Sequence, residues 1–198
     1  MYRAYFLKRP LDLLLCMGGI FLFLPLWLII SILIWLETEG EIFYIQERVG
    51  LNYQVFKTIK FCTLYRDENN NIRISRLGNF LRRTALDESL QLINILKADM
   101  SFVGPRPLVP QEIGDDFKIE RRFKIRPGLT GLAQIAIPKN SSVDAKFKYD
   151  LLYIENQSLN LDLKIIFYSI LFSLLGRWED KERRIFSGFK LKEIIVFK

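Results

Sequence analysis

Histidine is missing from all 198 residues of this chain. That absence excludes Ser-His-Asp and Cys-His catalysis, histidine general bases and every His-ligated metal site. There are only two cysteines, Cys16 in an apolar stretch and Cys62 in a basic one. Two so placed give no disulfide framework and suit a reducing compartment. Neither a Walker A sequence nor a G-x-G-x-x-G fingerprint occurs, so any nucleotide is held by another device. No internal repeat or low-complexity tract appears. Chemistry is left to carboxylates, lysine, arginine, hydroxyls and a hard metal ion.

Half of the residues are hydrophobic and 26% are charged, which excludes disorder and is greasy for a soluble enzyme. The net charge of +7 favours partners carrying phosphate or carboxylate. Nucleic acid, anionic lipid and phosphorylated small molecules all satisfy it. From Leu13 to Leu36 runs an uncharged stretch of about 24 residues, roughly 36 Å as a helix and enough to cross a hydrocarbon core. It is too long for a signal-peptide core, and no small-x-small site precedes Glu37. Arg3, Lys8 and Arg9 before it belong in the cytoplasm. A straight span would therefore put the whole basic body outside. Pro25 lies mid-run, removes a backbone hydrogen bond and calls for a kink. A straight span and a helix that dips in and returns both remain open on these residues.

Beyond the run, Glu41–Gln46 and Tyr53–Lys60 flank Val49-Gly-Leu-Asn52 and suggest a hairpin. Leu77 to Leu96 carries apolar residues at roughly helical spacing, and Asp144 to Asn156 reads as a helix. Gly104-Pro-Arg-Pro107 and Arg126-Pro-Gly-Leu-Thr-Gly131 are loops. Ile165 to Leu175 is apolar but too short to span, which leaves a core helix or an interfacial one. The charged tail from Arg177 reads as a basic surface extension.

Thr84 followed by Asp87 has the spacing of a capping box and places Asp87 in a first helical turn. Two readings follow. Asp87 and Glu88 complement the helix dipole, or they stand where phosphate docks, with Arg82 and Arg83 just upstream. Adjacent helical side chains diverge by about 100°, so the two carboxylates take different roles. Arg106 between two prolines is presented with little entropy to lose, either to an anion or to water. Arg126-Pro-Gly is a tight turn or a source of amides for phosphate. Lys57 and Lys60 face opposite sides of a strand, so only one can line a pocket. Asp115-Asp116 reads as a solvated loop more readily than a metal site.

These segments, in one order over roughly residues 3 to 175, resemble the small monotopic phosphoglycosyl transferases of the bacterial sugar transferase family. They are Lys8-Arg-Pro-Leu-Asp12, Phe43-Tyr-Ile-Gln-Glu-Arg-Val-Gly50, Phe56-Lys-Thr-Ile-Lys-Phe61 and Leu77-Gly-Asn-Phe-Leu-Arg-Arg-Thr84. Leu86-Asp-Glu88, Gln91-Leu-Ile-Asn94, Asp99 to Leu108, Arg126 to Gln134 and Asp150 to Leu163 complete the series. The resemblance implies an α+β, mainly helical fold. An N-terminal re-entrant membrane helix (1–38) would precede a compact cytoplasmic catalytic domain (39–176), built of a small β-hairpin and interfacial amphipathic helices. A basic amphipathic tail (177–198) would follow.

The implied reaction transfers a sugar 1-phosphate from a UDP-sugar to polyprenyl (undecaprenyl) phosphate and releases UMP. By the resemblance, Asp87 is the nucleophile that carries a covalent phosphosugar. Glu88 handles protons or activates the acceptor. Mg²⁺ is held in part by Asp87. Arg82, Arg106, Arg126 and Lys60 bind substrate phosphate. The expected partners are the UDP-sugar, the polyprenyl phosphate and membrane lipid, with no nucleic acid and with a homodimer left open. The expected place is the bacterial inner membrane, monotopic, with the catalytic domain on the cytoplasmic face.

Three departures from the family pattern stand out. Cys62 and Leu64 replace an arginine and a methionine, Ile137-Pro-Lys-Asn140 replaces a Gly-Arg-Asn loop, and Leu24 precedes Pro25 where serine is common. Two competing readings are a non-catalytic basic anchor for anionic lipid or nucleic acid, and a transferase with no covalent step.

Overall fold

The computed structural model describes residues 5–38, 41–66, 70–113, 120–138 and 140–176. Arg3, Asp115-Asp116, Lys139 and the tail from 177 lie outside these. The long apolar run forms helix α1 (Lys8–Thr38), 31 residues and roughly 46 Å, which continues through Pro25 without a break in the helix. Its buried residues are Lys8, Asp12, Cys16, Trp27, Ile30 and Ile34, and Ile20 and Phe23 are partly buried between them. Spacings of three and four make these one stripe, and the stripe faces the body along both halves of the helix. The Cys16 thiol donates to the Leu92 carbonyl (3.0 Å), and Trp27 Nε1 donates to Ser89 Oγ (2.9 Å). Phe21, Leu22, Leu24, Leu28 and Leu36 on the other faces are exposed. Among the described residues, α1 is the one helix long and apolar enough to cross a membrane.

The hairpin is present as β1 (Phe43–Val49) and β2 (Val55–Phe61), antiparallel, with a tight turn at Leu51–Tyr53. Asn52 and Tyr53 both take positive φ there, a conformation asparagine tolerates better than most. Register pairs Tyr44 with Lys60, Gln46 with Thr58 and Arg48 with Phe56. A second small hairpin, β3 (Leu64–Arg66) and β4 (Ile72–Ile74), leads into α2 (Arg76–Thr84), whose first turn is capped by Ser75 Oγ accepting from Gly78 N.

The expected helix over Leu77 to Leu96 is three pieces. Helix α2 stops at Ala85, which is left-handed (φ 58°); a 3₁₀ segment covers Leu86–Gln91, and α3 covers Leu92–Leu96. The expected capping box is absent. Thr84 Oγ1 donates back to the Phe80 and Leu81 carbonyls, so it closes α2 and does not open the next turn. Asp87 and Glu88 nevertheless lie in a first turn, that of the 3₁₀ segment.

Strand β5 (Ser101–Val103) pairs in parallel with β6 (Gly128–Thr130). Helices α4 (Leu132–Ala136), α5 (Val143–Glu155) and α6 (Leu159–Leu174) follow. The apolar stretch before Leu175 is the larger part of α6. As in a core helix, Leu161, Ile165 and Phe172 are buried, while Leu163, Phe167, Ile170 and Leu174 form an exposed apolar stripe. The fold is thus α+β and mainly helical, with small sheets.

The Lys8 to Asp12 motif ties α1 to this body. Lys8 Nζ donates to Asp162, to the Val103 carbonyl (2.8 Å) and to Tyr153 Oη (3.0 Å). Asp12 accepts from Ser101 Oγ and Phe102 N, and Arg9 donates to the Ile95 and Leu96 carbonyls. Asp162 is fully buried, so removing its cation leaves an uncompensated charge. Lys8→Ala is expected to cost about 3–5 kcal/mol of stability, read as a lowered thermal midpoint in detergent micelles. An unchanged midpoint would show that the pair does not hold α1 in place.

Candidate active site

Side-chain alternation along the first hairpin puts Gln46, Arg48, Thr58 and Lys60 on one face, and Lys57 on the other, exposed. That face meets the 3₁₀ segment bearing Asp87 and Glu88 and the Gly104-Pro-Arg-Pro107 loop after β5. A small cleft between them is lined by Arg48, Thr58, Lys60, Gln91, Arg106 and Pro107.

At its centre Glu88 holds two cations. Lys60 Nζ donates to Glu88 Oε1 at 2.6 Å; Arg106 donates Nη2 to Oε1 at 2.6 Å and Nη1 to Oε2 at 3.2 Å. Glu88 is 16% exposed. Burial alone would raise its pKa, but Arg106 and Lys60 together outweigh burial and hold the carboxyl well below the ordinary carboxylate range. Its neighbour goes the other way. Burial, with Glu88 close by, pushes Asp87 up to about 6 against the pull of Lys60, Arg82 and Arg106. The two adjacent carboxylates are therefore inequivalent, as their divergence on a helical turn required. Arg82, on α2, donates Nε to Thr63 Oγ1 (2.8 Å) and is coupled electrostatically to Asp87. Arg83 instead reaches the Gly176 carbonyl.

Four cations, Arg48, Lys60, Arg82 and Arg106, thus act on two carboxylates, an excess of positive charge suited to a diphosphate. Asp87, Glu88, Lys60, Arg82 and Arg106 are brought together. Arg126 is not shown with them: its Nε donates to the Ala98 carbonyl (2.8 Å) just past α3. Its loop spends amides internally, Gly128 N on the Pro105 carbonyl and Gly104 N on the Thr130 carbonyl, both 2.9 Å. A Cβ at Gly128 would lie 2.1 Å from Gly104 N, so this glycine serves close backbone approach. Of the two readings of Arg126-Pro-Gly, the tight structural one fits.

Sequence reading missed Arg48, Thr58 and Gln91. Arg48 was within reach, because pairing across the Asn52 turn puts it on the Lys60 face. Cys62, in place of an arginine, is buried and donates to the Leu64 carbonyl. Among the described residues no group of three or more acidic or cysteine ligands could cage a metal. With both Glu88 oxygens taken, Asp87 remains, and one carboxylate completed by substrate phosphates is a usual way to hold Mg²⁺.

By sequence the chain belongs to the bacterial sugar transferase family, whose model matches residues 3–176. It is therefore a transferase of the phosphoglycosyl, sugar-1-phosphate type. An Aeromonas hydrophila protein named UDP-N-acetylgalactosamine-undecaprenyl-phosphate N-acetylgalactosaminephosphotransferase is 35% identical over 188 residues, 86% of this chain and 44% of that protein. The exopolysaccharide production protein ExoY of Rhizobium meliloti is 35% identical over 188 residues, 82% of this chain and 83% of that one. The UDP-glucose:undecaprenyl-phosphate glucose-1-phosphate transferase of Klebsiella pneumoniae is 34% identical over 181 residues, 82% of this chain and 39% of that protein. The chain thus spans less than half of the Aeromonas and Klebsiella relatives and most of ExoY.

The raised pKa of Asp87 carries a stability consequence. Its protonated form is favoured in the fold, so this contribution is full below the ordinary value near 3.8 and is lost as pH rises through about 6. Asp87→Asn is therefore expected to be more stable than the native protein at pH 7, by on the order of 1–3 kcal/mol, with the gain shrinking toward pH 4. Thermal melts at both pH values test this; a less stable variant at pH 7 would contradict it.

Proposed function

We propose that this protein transfers a sugar 1-phosphate from a UDP-sugar to undecaprenyl phosphate at the cytoplasmic face of the bacterial inner membrane. The observation that carries this is the split pair, a Glu88 anchored by two cations beside an Asp87 that has no side-chain hydrogen bond among the described residues, within an excess of positive charge. Relatives named for sugar phosphate transfer to undecaprenyl phosphate support it.

In this mechanism an Asp87 carboxylate oxygen attacks the phosphorus that bears the sugar. A P–O bond forms as the bond to UMP breaks, and UMP leaves with the electron pair. An oxygen of undecaprenyl phosphate then attacks the same phosphorus, Asp87 departs as carboxylate, and the lipid diphosphosugar results. Arg106, Lys60, Arg82 and Arg48 offset the charge on the diphosphate and on the departing UMP. Mg²⁺, held by Asp87 together with substrate phosphates, would add charge neutralisation when bound. Glu88, with both oxygens accepting, orients Lys60 and Arg106. This role fits its geometry better than the expected proton handling, because a carboxylate held so acidic is a weak base.

Membrane attachment follows from the surface. The outward faces of α1 and the Leu163, Phe167, Ile170, Leu174 stripe of α6 are apolar and exposed, far beyond scattered surface residues. Lys8 and Ile34, near opposite ends of α1, are both buried against the same body, which supports a monotopic, re-entrant seat over a straight span.

Incubation with a UDP-sugar and Mg²⁺, without lipid acceptor, is expected to release UMP and add a sugar phosphate mass to Asp87. Asp87→Asn should abolish both, Arg106→Ala should cut turnover at least about 100-fold, and chelation of Mg²⁺ should suppress UMP release. Turnover in Asp87→Asn would remove the covalent reading, and an inert native protein across a panel of UDP-sugars would leave the basic-anchor reading. For the topology, cysteines placed at Phe6 and at Glu41 are both expected to react only with reagents that enter the cytoplasm. Labelling of either from outside would restore the straight span.

A further inference from the structure

Arg106 stands in a loop with no regular structure of its own, yet its guanidinium must be placed to within a fraction of an ångström. Four consecutive carbonyls of that loop each take a donor from another part of the chain. Pro105 accepts from Gly128 N (2.9 Å), Arg106 from Arg122 Nη2 (2.8 Å), Pro107 from Arg48 Nη1 (3.0 Å) and Leu108 from Val49 N (2.9 Å). Two of the donors are backbone amides, and Arg48 lines the cleft itself. Arg122 is different. It lies outside the cleft lining and is 6% exposed.

Helix α5 holds it there. Asp150 lies 3.0 Å from Arg122 Nη2, and the guanidinium sits 4.5 Å from the centre of the Phe147 ring. Asp150 is 3% exposed. Among the described residues, Arg122 Nε and Nη1 are buried with no hydrogen-bond partner. Burying two charges is a poor way to stabilise a fold, and leaving donors unmatched makes it poorer. The pair does accomplish one thing that apolar residues could not, a rigid donor on the Arg106 carbonyl.

We propose that Arg122 and Asp150 are a positioning pair for the transfer reaction, fixing the backbone from which Arg106 reaches the substrate phosphates. The proposal rests on the reaction assigned above. Neither residue touches the cleft; both act through Arg106. It also makes α5 part of the catalytic frame, since Asp150 and Phe147 are one turn apart on the same face of that helix.

Arg122→Met combined with Asp150→Leu removes both charges at similar volume. A charge-free pair of this kind leaves stability equal or improved, so the variant is expected to melt no lower than the native protein. In full-length protein in detergent, with UDP-sugar and undecaprenyl phosphate, kcat for UMP release is expected to fall about 10–100-fold while KM for the UDP-sugar moves less than about 3-fold. In an Arg106→Ala background the same double change should cost less than about 2-fold, because its route to the reaction is already gone. Native kcat in a folded double variant, or an undiminished loss on top of Arg106→Ala, would overturn the proposal. Nitrogen-15 NMR of arginine-labelled protein gives a readout free of turnover. The Arg106 side-chain signal, identified by its loss in Arg106→Ala, should be sharp in the native protein and broadened or shifted in the double variant. An unchanged signal would also overturn the pairing role. If the native protein releases no UMP at all, the assigned reaction fails, and the NMR comparison still decides whether the pair orders Arg106.

Discussion

The contact of Glu88 with Lys60 and Arg106 organises this site. Each partner comes from a different part of the chain: a hairpin strand, a 3₁₀ turn and a loop after the short strand β5. By taking both Glu88 oxygens, the two cations settle which carboxylate is spent on structure. Asp87 is left with a raised pKa and, among the described residues, no side-chain hydrogen bond of its own, the state the proposed nucleophile requires near neutral pH. Without the contact, nothing would offset the Glu88 charge beside Asp87, and the lysine and arginine would lose the geometry that makes them useful to a phosphate.

The rest of the fold keeps those three elements in register. Helix α1 packs Cys16 against α3 and hydrogen-bonds Trp27 to Ser89, one residue beyond Glu88. The buried Lys8, Tyr153 and Asp162 network clamps the start of α1 to α5 and α6. A helix whose outer faces suit lipid is thereby fixed directly behind the reactive turn. This gives a physical reason for the proposed transfer, from a water-soluble donor to a lipid-borne acceptor, to be placed in this cleft.

Much of this was legible in the residues. The hairpin declared itself through β-branched and aromatic residues around Asn52, and Arg106 through its flanking prolines. The Asp87-Glu88 pair stood out through the arginines before it, but its spacing fitted a helix-dipole role as well, and only the resemblance pointed to catalysis. What was not legible depended on tertiary placement. Nothing local says that Ala85 turns left-handed and splits one helix into three pieces, because alanine is the strongest helix former. Arg126 and Arg122 are four residues apart in one basic run. Only packing reveals that one closes off α3 and the other grips the Arg106 carbonyl. Glu88 read as an acid or base because its two cations lie 28 and 18 residues away.

The central claim, that Asp87 takes the sugar phosphate onto itself, has a stereochemical signature independent of trapping. Two successive in-line displacements at one phosphorus restore its configuration, whereas a single direct transfer inverts it. With a UDP-sugar carrying a chiral phosphorothioate at the sugar-linked phosphorus, the account requires retention in the lipid-linked product. Inversion would contradict it.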